Sequence, residues 1–99
     1  MARVEFLPGV NDDLRRVIAH LEQHEAEHVP ERLREWVSAS DVLADNPLIG
    51  RPTRGGLREL VIGRGVRGYI ALYRYPAEVD TVFVLAIRAQ REGGYARDA

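Results

Sequence analysis

The residues of this chain whose types could do chemistry lie mostly in its second half: Arg67, Arg74, Arg88, Arg91, Glu92 and Tyr95. Metal-free RNA cleavage needs a base for the 2′-hydroxyl, an acid for the leaving 5′-oxygen and cations for the phosphate. Glu92 and Tyr95 suit the proton transfers, and Arg67, Arg88 and Arg91 suit the phosphate. The same residues equally describe a solvated rim at the end of a sheet, and both readings stay open at this point.

Other motifs carry less. Gly63-Arg-Gly-Val-Arg-Gly68 has the glycine spacing of a dinucleotide fingerprint. That fingerprint must open a helix whose N-terminus holds a pyrophosphate, whereas this one leads into the strand pattern Tyr69 to Tyr73. The glycines at 50 and 55 have P-loop spacing, but the lysine such a loop requires is missing from a chain whose fourteen basic residues are all arginine. His20, His24 and His28 recur every four residues and would form a line on one helix, three ligands with no cysteine or further histidine to complete a zinc site. His24 and His28 also continue an apolar stripe, so packing competes with metal binding there. No metal and no cofactor is expected. Trp36 reads as core, and Arg58 is the most informative charge, because its phase along a strand is that of Leu60 and Ile62. A buried arginine must be hydrogen-bonded or paired.

The elements that must position these residues follow from periodicity. Arg3 to Leu7 alternates as a short strand, which Pro8-Gly9 breaks. Asn11 then reads as an N-cap with Asp12 and Asp13 in the first turn, and Leu14, Val17, Ile18 and Leu21 give a helical stripe. A second helix has Pro30 in its first turn and the stripe Leu33, Trp36, Val37, Leu43 and Ala44, ending at Asn46-Pro47. Residues 50–56 read as a loop. Three strands follow, Leu57 to Ile62, Gly68 to Tyr75 and Thr81 to Arg88, joined by connections too short for a crossover helix and therefore antiparallel. Val82 to Ile87 is apolar on both faces, while Tyr69, Tyr73 and Tyr75 share one face. The expected fold is α+β: an N-terminal strand, a two-helix hairpin and a three-stranded antiparallel meander, in one domain over residues 1–99. Residues 89–99 read as a mobile polar tail.

Composition sets the class. With 99 residues, 45% hydrophobic and 29% charged, the chain has material for one core. No apolar run suits a membrane span or a signal peptide, and cysteine is absent, so a cytoplasmic protein without thiol chemistry is expected. The net charge of −1 conceals a division: five arginines and ten acids in residues 1–50 give −5, and nine arginines and five acids in residues 51–99 give +4.

The order strand, two helices and three strands, taken with Asn46-Pro47-Leu-Ile-Gly50-Arg51-Pro52, Gly56-Leu57-Arg58-Glu59-Leu60, Tyr69-Ile-Ala-Leu-Tyr73 and Ile87-Arg-Ala-Gln-Arg91-Glu-Gly-Gly-Tyr95, resembles the RelE/ParE superfamily of bacterial toxins. The resemblance covers nearly the whole chain. It implies the toxin of a type II toxin-antitoxin module, of the kind associated with plasmid stabilisation and growth inhibition, neutralised by direct binding of a cognate antitoxin. The positive second half should attract an acidic segment, so an acidic C-terminal arm is expected of that antitoxin. RelE-like members cleave mRNA on the ribosome, and ParE-like members block DNA gyrase without a catalytic set.

The sequence departs from the nuclease pattern. A protein that docks on the ribosome should be strongly basic, yet the pI is about 6.3. No lysine or histidine follows residue 28. The ParE-like branch therefore fits better, with DNA gyrase as target, no catalytic residue, and toxicity carried by Arg58, Arg88, Arg91 and Tyr95. No membrane contact and no sequence-specific nucleic-acid binding by the toxin alone are expected. The alternatives are a ribosome-dependent endoribonuclease using Arg67, Arg88, Arg91, Glu92 and Tyr95, and an inactive relative kept as a binding module.

Overall fold

The computed structural model describes residues 1–24, 27, 29–63 and 68–90, the side chains of Leu21 and His24 excepted. Strand β1 (Arg3–Phe6) leads into helix α1 (Pro8–His24), and helix α2 (Val29–Asp45) follows. Strands β2 (Arg51–Pro52), β3 (Arg58–Ile62), β4 (Tyr69–Arg74) and β5 (Thr81–Ala89) complete the chain. They form one mixed sheet in the order β1-β5-β4-β3-β2. The expected meander is β3, β4 and β5, all antiparallel, and β1 closes the other side by pairing parallel to β5 from Arg3↔Thr81 to Phe6↔Val84.

Helix α1 starts earlier than the N-cap pattern suggested. Pro8 sits at its first position, where a fixed φ and a missing N–H cost nothing, and the first turn holds no acid. Asn11 is therefore an interior helical residue. The earlier start also places Val10, fully buried, at the centre of the core. In α2 the expected start holds, with Pro30 and Glu31 in the first turn, but the stripe is displaced: Leu43 is buried, whereas Leu33 is 43% and Val37 65% exposed. Trp36 packs on Tyr69 with ring centroids 5.5 Å apart. The segment read as a loop between 50 and 56 contains β2, which pairs with Arg58 and Glu59, and a 3-10 turn over Arg54–Gly56.

The core lies between the helices and one face of the sheet, where Val17, Leu43, Ile62, Tyr69, Ala71, Tyr73, Val82, Val84 and Ile87 form one cluster with Val10. Val84 and Ile87 are three residues apart and could not share a face in a regular strand. They do so because the register between β4 and β5 slips, Leu72 pairing with Ala86 and Tyr73 with Val84, so that Leu85 is the extra residue of a β-bulge. The opposite face of the same two strands is buried as well at Ile70, Leu72 and Ala86. This agrees with a central strand apolar on both sides. Ala89, placed in the tail by the sequence pattern, is the last residue of β5, and Gln90 donates its backbone N–H to Gly68 O at 2.9 Å. Residues 91–99 lie outside the described residues.

Among the described residues no helix is long and apolar enough to cross a membrane, and no group of three histidine, cysteine or acidic side chains could hold a metal ion. His20 is exposed, and the side chains of His24 and His28 lie outside the description.

Candidate functional site

Two of the expected site residues are described, and the sheet separates them. Arg58 pairs with Tyr73 and shares its core-ward phase, whereas Arg88 pairs with Ile70 on the opposite face. Arg67, Arg91, Glu92 and Tyr95 lie outside the described residues.

On the outer face, Arg88 is half-buried and donates from Nη1 to Ala89 O at 3.3 Å. Arg74 stands at the other end of the same face, four positions along β4 from Arg88's partner Ile70 and so about 13 Å away. Its guanidinium lies over the Phe83 ring, 5.5 Å from the centroid, a cation–π contact at an exposed position. The end of β5 that carries Arg88 is fixed from behind by α1. Asp13, only 2% exposed, accepts the backbone N–H of Ile87 through Oδ2 at 2.9 Å, and Arg16 donates to Ile87 O at 3.2 Å. Asp13 and Arg16 also form a longer ion pair of 3.8 Å. Strand β1 ends at Phe6, opposite Val84, so among the described residues β5 has no strand partner on that side at Ile87, and two side chains of α1 take its place.

On the core face, Arg58 holds a loop. Its Nη1 donates to Leu48 O at 3.0 Å and to Gly50 O at 2.8 Å, so the expected partner of a half-buried arginine is a pair of carbonyls and not a carboxylate. Tyr73, with 0% exposure, works on the same loop: its hydroxyl accepts the Gly50 N–H at 2.8 Å and donates to Pro47 O at 2.9 Å. Glycine is required at 50, because a Cβ there would lie 2.5 Å from the Tyr73 hydroxyl oxygen. Burial pushes the Tyr73 phenol up from its ordinary value, while the bond from Gly50 and the charge of Arg58 pull it down. Tyr75 is also raised, chiefly because its hydroxyl donates to the Asp80 carboxylate at 2.6 Å.

Beyond the two residues of β2, the outer edge of β3 at Leu60, Val61 and Ile62 has no strand partner among the described residues. Between that edge and α2 runs a groove of about 510 Å³, lined by Glu31, Arg34, Ser38, Val42, Leu60 and Val61 among others. Sequence patterning pointed to the outer-face arginines and to Arg58. It gave no signal for Asp13 and Arg16, whose partner is more than seventy residues away.

The family model for the ParE toxin of the type II toxin-antitoxin system parDE matches residues 4–93, nearly the whole fold just described. This chain belongs to the ParE toxin family. Among solved structures, a chain in the crystal structure of the toxin-antitoxin complex RelBE2 from Mycobacterium tuberculosis is 26% identical, with a TM-score of 0.62 over 90% of this chain and 98% of that one. No curated protein matches the sequence. The fold and the class expected from the sequence, the toxin of a type II toxin-antitoxin module, are those of the family.

Proposed function

We propose that this ParE-family toxin inhibits DNA gyrase as a protein ligand without catalysis of its own, and that a cognate antitoxin neutralises it by direct binding. The observation that supports the gyrase reading best is where the tyrosines in and just after β4 stand. A ribosome-dependent nuclease stacks and protonates RNA with exposed aromatic and basic groups. Here Tyr69 and Tyr73 belong to the core, and the Tyr75 hydroxyl is occupied by Asp80. The net charge of −1 agrees, since docking on ribosomal RNA draws on a large positive surplus.

The target surface on this reading is the outer end of β5, starting at Arg88 and continuing into Arg91 and Tyr95. Arg58, on the opposite face of the sheet, stands outside that surface on this reading and holds the loop before β2. For the antitoxin, the groove between α2 and the open edge of β3 suits an extended or helical arm, with main-chain groups of β3 available to pair. Induction in cells tests the reading. A DNA-damage response with arrested replication is the expected result, and rapid loss of translated mRNA instead would favour the endoribonuclease that uses Arg67, Arg88, Arg91, Glu92 and Tyr95.

A further inference from the structure

The segment of residues 46–50 joins α2 to β2, and it presents two large apolar side chains to solvent. Leu48 is 60% and Ile49 52% exposed, yet the backbone that carries them is tied down from one residue to the next. Asn46 N–H bonds to Val42 O at 2.8 Å and Ile49 N–H to Asn46 O at 3.0 Å. The carbonyls of Pro47, Leu48 and Gly50 are taken by Tyr73 and Arg58, and the N–H of Gly50 by Tyr73. A surface loop has no need of a fully buried tyrosine and a half-buried arginine to satisfy carbonyls that water would solvate. Such bracing removes the ordering cost that a mobile loop would incur on binding, which is the physical signature of a preorganised contact.

The charge around the pair indicates what it contacts. Residues 45–59 carry three arginines, 51, 54 and 58, against two acids, the exposed Asp45 beside the pair and Glu59, which is bonded to Arg51 at 3.0 Å. Arg54 is exposed in the turn that follows β2, where its carbonyl accepts the Leu57 N–H at 3.3 Å and its guanidinium bonds to no described residue. An apolar anchor with a cationic rim selects a segment that offers apolar pockets flanked by carboxylates. We propose that Leu48 and Ile49 are a preorganised anchor for an acidic segment of the antitoxin, with Tyr73 and Arg58 as the positioning residues that hold it. The proposal rests on the toxin-antitoxin reading and adds a second contact to the groove beside β3.

The test uses the full chain and the protein encoded beside its gene, with affinity and rates measured at physiological salt. In L48S/I49S both changes are at exposed positions, so the thermal midpoint should stay within about 2 °C. Its dissociation constant should rise at least about 30-fold, mostly through faster dissociation. Arg54→Glu should slow association several-fold at low salt and lose that effect at high salt. Tyr73→Phe keeps both anchor side chains and frees the loop, so it should weaken binding less than the double variant and accelerate amide exchange at Gly50. Unchanged affinity of a folded L48S/I49S overturns the proposal. So does a variant that still binds the antitoxin but no longer arrests growth, because the pair would then be a target contact. Absence of binding by the unaltered chain would bring down the toxin-antitoxin reading itself, and the anchor with it.

Discussion

Arg58 shows what one strand position can decide. Its phase was legible in the sequence because Leu60 and Ile62 alternate with it, and the register with Tyr73 agrees. Its partners were not legible, since nothing in a strand pattern says that the carbonyls of a loop ten and eight residues earlier will arrive there. Arg58→Ala should cost about 2 kcal/mol, the scale of two charge-assisted bonds at a half-buried position. Chemical denaturation measures it, and a loss below about 0.5 kcal/mol, the range of ordinary surface changes, would contradict the bracing role. Tyr73 gives a second check at this scale, through pH. Its folded-state value lies above the ordinary 10.0, so the unfolded chain ionises first as pH rises. The contribution is fully present below about pH 10 and is lost as pH climbs from there toward the folded value. Stability of the unaltered chain should therefore fall in alkali above pH 10, and Tyr73→Phe should fall less steeply. Equal slopes would mean that the phenol is not held neutral by the fold.

At the scale of elements, the hairpin and the meander could be read from periodicity and turn residues, but their edges could not. Two rules competed for the start of α1, proline at the first helical position and asparagine as cap, and the first prevailed because Leu7 still pairs with β5, donating to Val84 O, immediately before the helix begins. The early start brings Asp13 round to Ile87. Asp13→Ala would leave the Ile87 N–H buried without a partner and should cost about 2 to 3 kcal/mol, whereas Asp12→Ala, at an exposed position, should cost little. Amide exchange at Ile87 should accelerate in the first variant only. If both variants lose the same stability, the clamp does not hold the end of β5. The bulge at Leu85 was also beyond the sequence: a run apolar at every position has no alternation to betray a slipped register. Leu33 and Val37 were misplaced for the opposite reason, since a helical stripe marks an apolar face without saying that a neighbour covers all of it.

At the scale of the molecule, the division of charge maps onto the fold. The acidic half is largely helical and the basic half is sheet, with Arg74 and Arg88 on the outer face and Arg51 and Arg54 beside the braced loop. This arrangement gives one toxin two kinds of cationic surface, and on the proposed reading they serve different partners. The outer end of β5 contacts the target, and the loop and groove receive the antitoxin. Removing the chain after Gln90 leaves every described strand complete, so the shortened protein should fold and bind antitoxin but no longer arrest growth. Full toxicity of that folded truncation would exclude Arg91 and Tyr95 from the target surface. Purified toxin in two parallel reactions, DNA supercoiling by gyrase and mRNA cleavage on translating ribosomes, separates a protein ligand of gyrase from a nuclease. The expected result is inhibition of supercoiling, relieved by adding antitoxin, with the mRNA left intact. Cleaved mRNA with supercoiling unaffected would contradict it.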